Sequence, residues 1–321
     1  MKKYLIYIII LITFIIGIFI YKNQNKEYSK NLFYMDTYIN IKITSNNKEK
    51  VEKAFKKAED LFKTYHNLTD RYNSESNLYK LNHTNGSVVV DSRLYDLIYY
   101  AYSWFEKTNG LFNINMGNLI DVWKKYRDNN AGIPTKEELN VDISISNIEL
   151  LNNNTIKNNG ANIDLGGVTK GYVTKLIGEE FEKIGINDYI INAGGNVLVG
   201  NRKDKYKIGI ESPLKDGSIY QIVKENNIAV VTSGSYERFY EYEGKLYHHI
   251  IDPNTLYPSE YMKSVTIVSN DSALADILST TLFLIPIEEG IDYIKKIDNV
   301  EAIWYSNDDK IIKSEGFKKY E

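Results

Sequence analysis

Residues 162–171 read Asn162-Ile163-Asp164-Leu165-Gly166-Gly167-Val168-Thr169-Lys170-Gly171. The pattern passes from a strand through two glycines into a helix marked by Val168, Tyr172, Val173, Leu176, Ile177 and Phe181. Glycines at such a junction let the backbone approach a ligand closely, and the helix N-terminus offers unpaired N–H groups to an anion. A phosphate or pyrophosphate suits that geometry. The spacing is neither that of a Walker loop nor that of the dinucleotide-binding glycine motif. Taken alone, a tight turn with Lys170 in solvent is the simpler reading.

Outward from this stretch, short strand-like runs alternate with amphipathic helices from Leu32 onward, with no internal repeat. Val51, Ala54, Phe55, Ala58, Leu61 and Phe62 predict a helix over Lys48 to Thr64, and Leu94, Leu97, Ile98, Ala101 and Phe105 one over Ser92 to Glu106. Strands are expected at Tyr38–Ile43, Tyr189–Ile191, Val197–Val199, Lys207–Ile210, Ile228–Val231 and Val265–Val268. The Asn-rich stretch from Asn147 to Asn162 predicts exposed loops around a short hairpin. This mixture points to an α+β domain of mixed or antiparallel sheets rather than a regular βαβ series.

The 321 residues are 43% hydrophobic and 25% charged, enough for a sizeable core. The net charge of −3 is spread along the chain, and no basic stripe interleaved with aromatics argues for nucleic acid as a partner. The absence of cysteine excludes disulfides, thiolate metal sites and a lipid-modified cysteine, so any metal must sit on oxygen or imidazole. At the N-terminus, Lys2 and Lys3 precede an apolar run from Tyr4 to Ile20, close to the length that crosses a bilayer. No small-x-small cleavage pattern follows it. The expectation is a retained single-pass anchor at residues 1–21, a polar linker at 22–31 and a globular domain at 32–321.

Three further segments bear on chemistry. The helix from Asp271 to Ile285, N-capped by Asp271 or Ser272, is apolar nearly all round except at Asp276. A carboxylate there costs several kcal/mol, in the range of about 2–7, unless a cation or several donors compensate it. Asp276 and Thr280 share one helix face, and their oxygens suit a hard cation such as Mg²⁺; hydrogen bonding to nearby backbone is an equal alternative. Next, Thr232-Ser233-Gly234 leads to a hairpin turn at Glu243-Gly244-Lys245 and then His248-His249-Ile250-Ile251-Asp252-Pro253. Adjacent strand residues point to opposite faces, so at most one of the two histidines faces a given site. Finally, Asn192-Ala193-Gly194-Gly195-Asn196 reads as a strand ending in a double-glycine turn, which a plain hairpin explains.

The order and wording of these segments resemble the ApbE-like family, the FAD:protein FMN transferases. The likeness begins at Met35-Asp36-Thr37 and runs through Arg71-Tyr72-Asn73-Ser74-Glu75, Leu81-Asn82 and Gly110-Leu111-Phe112-Asn113 with Trp123 before it reaches the four segments above. The resemblance implies a single compact, T-fold-like domain and an enzyme that splits FAD and attaches FMN through a phosphoester to a Thr or Ser of a target flavoprotein. It also implies Mg²⁺ held by Asp276, Thr280 and the main-chain carbonyl of Gly167. FAD contacts would come from Met35, Tyr72, Leu111, Phe112, Asn113, Asp164, Lys170 and Ile250, and proton transfer from His249, a histidine expected to titrate near neutrality. The partner would be an exported or membrane flavoprotein, with the catalytic domain outside the cytoplasm. An FAD pyrophosphatase and a non-catalytic flavin-binding module remain the alternatives. The chain departs from the family at Asn113, where many members carry Asp, at Leu256 in place of a glycine, and at Thr169 in place of an alanine.

Overall fold

In the computed structural model the described residues are Tyr4, Ile6, Tyr7, 10–14 and 24–321. The expected anchor therefore lies mostly outside the described residues. Those of its residues that are described are helical and exposed. Among the described residues no helix is long and apolar enough to cross a membrane.

An eight-stranded antiparallel sheet organises the chain, and its spatial order is its chain order. Its strands are β1 (Lys26–Tyr34), β2 (Thr37–Ser45), β3 (Tyr189–Ala193), β4 (Asn196–Val199), β5 (Ile228–Gly234), β6 (Met262–Ser269), β7 (Val300–Ser306) and β8 (Ile311–Lys313). All six predicted strands are present. The one at Lys207–Ile210 belongs to a separate two-stranded sheet, Tyr206–Glu211 paired with Ile219–Glu225.

One expectation is corrected: residues 26–31, read as linker, belong to β1. All nine residues of β1 pair with β2, from Lys26 opposite Ser45 to Tyr34 opposite Thr37. An edge strand with one partner tolerates the polar sequence Lys26-Glu27-Tyr28-Ser29-Lys30, and charge on an edge discourages further pairing.

The central strands bury both faces. On β5, Ala229 and Val231 join the main core while Ile228 and Val230 join a second core beneath the Tyr206–Glu225 hairpin, which explains its unbroken apolar run. Helices cover the main-core face. Helix α1 (Lys48–Thr69) is capped by Asn47 and buries Val51, Ala54, Ala58, Phe62, Tyr65 and Leu68; it continues five residues past the predicted end. Helices α2 (Ser92–Lys107) and α3 (Gly117–Asn129) follow, and then α4 (Thr169–Ile184) and α5 (Ser272–Phe283), which pack against each other. Asp271 caps α5 by accepting from Ala273 N and Leu274 N at 2.9 and 3.1 Å. The short hairpin expected in the Asn-rich stretch forms at Ile148–Leu151 and Thr155–Asn158.

Candidate functional site

The site begins where α4 begins. Residues 162–165 are extended but form no strand; they bond instead to the loop before α3, through Gly117 N to Asn162 O and Asp164 N to Ile114 O, both 2.8 Å. The expected strand is thus a bridge that lays the Leu111–Asn113 segment beside the glycine bend. A Cβ on Gly167 would stand 3.3 Å from both the Phe112 ring and Thr280 Oγ1. Gly167, Phe112 and Thr280 therefore meet, although they come from three distant parts of the chain.

Helix α4 has no side-chain cap of its own. Asp276, one turn before Thr280 on α5, supplies one: its Oδ2 accepts from Gly171 N at 2.8 Å, satisfying a first-turn N–H group. The backbone alternative for Asp276 is thus realised for one oxygen. The other has no hydrogen bond among the described residues. Burial pushes the Asp276 carboxyl above its ordinary pKa, while Lys170 and the Gly171 N–H act in the opposite direction. Helices α4 and α5 approach so closely here that a Cβ on Gly171 would lie 2.3 Å from Ser272 O and 2.6 Å from Asp276 Cβ. Only glycine fits.

Charge surrounds the bend. Lys170 Nζ reaches Gly166 O at 3.3 Å, and Asp164 Oδ1 accepts from Gly166 N at 2.8 Å. The other Asp164 oxygen lies 3.7 Å from Nε of Arg71, a buried guanidinium that grips both Asp121 oxygens at 2.9 and 2.8 Å and donates to Asn162 Oδ1 at 3.0 Å. Tyr72, exposed, accepts from Arg71 and donates to Asp121 through its hydroxyl. Arg71, Asp121 and Asn162 were not singled out from sequence, although they fix the bend. Asn196 was also missed. It is buried at the start of β4, neither of its amide atoms has a partner, and its Nδ2 lies 3.0 Å from where a Gly171 Cβ would be.

The remaining candidates divide. Met35 sits with φ +53° at the tip of the β1–β2 hairpin, next to a second tip where a Cβ on Gly194 would fall 2.1 Å from Thr37 Oγ1. Leu111 packs partly buried against the main core, and Ile250 is buried in it. The Asn113 side chain is engaged internally, donating to Ile143 O and accepting from Asn115 N, both at 2.8 Å. Of the two histidines, His248 points inward, with Nε2 2.6 Å from Ser259 O and Nδ1 accepting from Ile250 N. His249 is exposed at a recess lined by Trp123, Lys124, Arg127 and Tyr247.

Dense protein around the His249 ring, then His248, Arg238, Lys170 and Arg127, hold its pKa well below the ordinary imidazole value. The ring nonetheless keeps accessible surface, so it occupies the floor of an open cleft, not the interior. The expectation that His249 titrates near neutrality is corrected: the imidazole is neutral at pH 7, ready to accept a proton.

Among the described residues no group of three or more His, Asp or Glu gathers into a metal cluster. A cation at the bend would rest on one carboxylate, one hydroxyl and one carbonyl. Asp276, Thr280 and Gly167 are hard oxygen donors of that kind, and the unbonded oxygen of a buried carboxylate fits a hard divalent ion.

Fold and site together define a helix-covered antiparallel α+β protein with one oxygen-lined corner at a helix N-terminus. The sequence profile of the ApbE family matches residues 35–304, and the chain belongs to that family. It is 28% identical to the FAD:protein FMN transferase of Klebsiella pneumoniae (strain 342), over 91% of this chain and 93% of that one. Identity to the FAD:protein FMN transferase of Treponema pallidum (strain Nichols) is 26%, over 91% and 88%. The crystal structure of the ApbE protein of Thermotoga maritima superposes with a TM-score of 0.81 at 29% identity, covering 92% of this chain and 99% of that one.

Proposed function

We propose that this protein is an FAD:protein FMN transferase. It cleaves the FAD pyrophosphate and joins FMN through a phosphoester to a Thr or Ser hydroxyl of an acceptor flavoprotein, with AMP as the leaving group. The observation that carries the reading is the meeting of Gly167, Thr280 and Phe112 beside Asp276, where a buried carboxylate, a hydroxyl and a free main chain converge on a helix N-terminus.

In this reading the start of α4 and Lys170 receive the pyrophosphate through N–H groups and positive charge. Phe112 and Tyr72 offer aromatic faces to the flavin. Asp276, Thr280 and the Gly167 carbonyl would hold Mg²⁺, which when bound neutralises pyrophosphate charge. Neutral His249 accepts the proton of the acceptor hydroxyl as its oxygen bonds to the FMN phosphorus and the bond from that phosphorus to the AMP oxygen breaks. The side chains of Arg127 and Arg238 keep the imidazole unprotonated between turnovers. The apolar run at residues 4–20 anchors the enzyme, with its catalytic domain outside the cytoplasm where an exported acceptor is reached.

The test is incubation with FAD, Mg²⁺ and a candidate acceptor, followed by denaturing electrophoresis. Flavin fluorescence retained on the acceptor, with one AMP released per flavin attached, is expected. FMN and AMP released without covalent flavin would make the protein a pyrophosphatase instead.

A further inference from the structure

At the end of the sheet remote from the glycine bend lies a cleft lined by Arg202, Lys203, Lys205, Lys207 and Lys224 over Tyr206. On a chain whose net charge is −3, five cations in one cleft are a concentration, opposed locally by Asp204, Glu225 and the terminal Glu321. Lys205 is paired with Glu225 at 2.8 Å, and Arg202 lies over the Tyr206 ring at 4.0 Å. Lys203, Lys207 and Lys224 have no ion pair among the described residues. Lys207 and Lys224 are direct cross-strand neighbours, an arrangement that costs stability unless an anion lies between them.

The position of the cleft names the anion. β1 starts at Lys26 opposite Ser45, Thr44 N donates to Asp188 O, and Asp188 accepts from the Tyr206 hydroxyl on the cleft floor. Residues 201–207 leave the sheet at this same end, through Gly200 N to Tyr189 O. The apolar run of residues 4–20 thus joins the domain beside the cleft. The hairpin tip at Met35 and the turn at Gly194 lie at the other end, eight residues along β1, or roughly 27 Å.

We propose that the Arg202–Lys224 cleft is a membrane-facing surface that binds anionic phospholipid headgroups. It sets the domain upright on the bilayer, with the glycine bend directed away from it toward acceptors that stand off the surface. Each cation near an anionic bilayer adds attraction that salt screens.

The test uses a fragment beginning at Gln24, which lacks the apolar run but keeps the whole core, since no buried residue among those described precedes Ile39. It is compared with Lys203→Glu/Lys207→Glu/Lys224→Glu, three exposed positions away from the bend, whose fold and solution FAD cleavage are checked first. The fragment should sediment with vesicles of phosphatidylcholine mixed with phosphatidylglycerol, not with phosphatidylcholine alone, and release at high salt. The triple variant should bind about tenfold or more weakly. Failure of the folded fragment to sediment, equal binding to both vesicles, or unchanged binding by the variant would overturn the proposal. So would binding to a single-stranded RNA without vesicle binding, which would give the cleft to nucleic acid.

Discussion

Asp276 concentrates the chemistry of the site in one carboxyl group. Its folded pKa is raised by burial, so its favourable contribution is complete below the unfolded value near 4 and is lost as pH rises through the folded value. At pH 7 the metal-free protein therefore carries a cost that a divalent ion would offset. Asp276→Asn, which keeps an acceptor for Gly171 N, should raise the melting temperature of the metal-free protein at pH 7 and abolish its further rise on adding Mg²⁺, both read by calorimetry. His249 behaves oppositely. Its depressed pKa contributes stability above the unfolded value near 6.5 that is lost as pH falls through the folded one. The account predicts no break in kcat/KM near pH 6.5 and a loss of about 10²–10⁴ in kcat for His249→Ala, measured with saturating FAD and acceptor. Leu256, at the position where the family has glycine, adopts φ +66°, so the departure seen in the sequence is a residue held in left-handed backbone. Thr169, the other departure, donates its hydroxyl to Leu165 O at 2.8 Å and so fastens the bend.

The contact between α4 and α5 is the element on which the corner depends. Gly171→Ala places a methyl against Ser272 O and Asp276 Cβ, and the resulting separation of the helices should cost about 1–3 kcal/mol of stability in urea titrations and weaken FAD binding together with it. Asp271→Ala removes the cap of α5 and the ion pair to Lys175 at the other end of the same contact. About 1–2 kcal/mol should be lost there, with FAD binding largely kept. Much of this scale was legible in the sequence. The 3.6-residue stripe gave α1 and α2 to within a few residues, the lone acid in an apolar helix marked α5, and the histidine pair divided into inward and outward members as strand alternation requires. What escaped has physical reasons. β1 is an edge strand, whose polar residues carry no burial pattern. The Arg71 cluster joins residues 50 and 91 positions apart, a pairing no local pattern encodes. The strand expected before Gly166 is an extended bridge, because its hydrogen bonds run to an irregular loop and not to a sheet.

Across the whole molecule, a sheet whose strands follow chain order places two loop-rich ends far apart, one carrying the glycine bend and the other the basic cleft. Binding at the first end and attachment at the second are thereby separable, and the fragment without its apolar run should bind FAD as the full chain does. The identity of the family and the single α+β domain were legible from the order of short motifs. The pairing of Gly167 with Thr280 needed the folded chain, since 113 residues of sequence lie between them and nothing local joins the two. The most direct test of the account is a calorimetric titration of FAD into the wild-type protein and Asp276→Asn, each with and without Mg²⁺. Mg²⁺ should tighten FAD binding by about tenfold or more in the wild type, equivalent to about 1.4 kcal/mol, and leave Asp276→Asn unchanged. An equal effect of Mg²⁺ on both proteins, or none on the wild type, would contradict it.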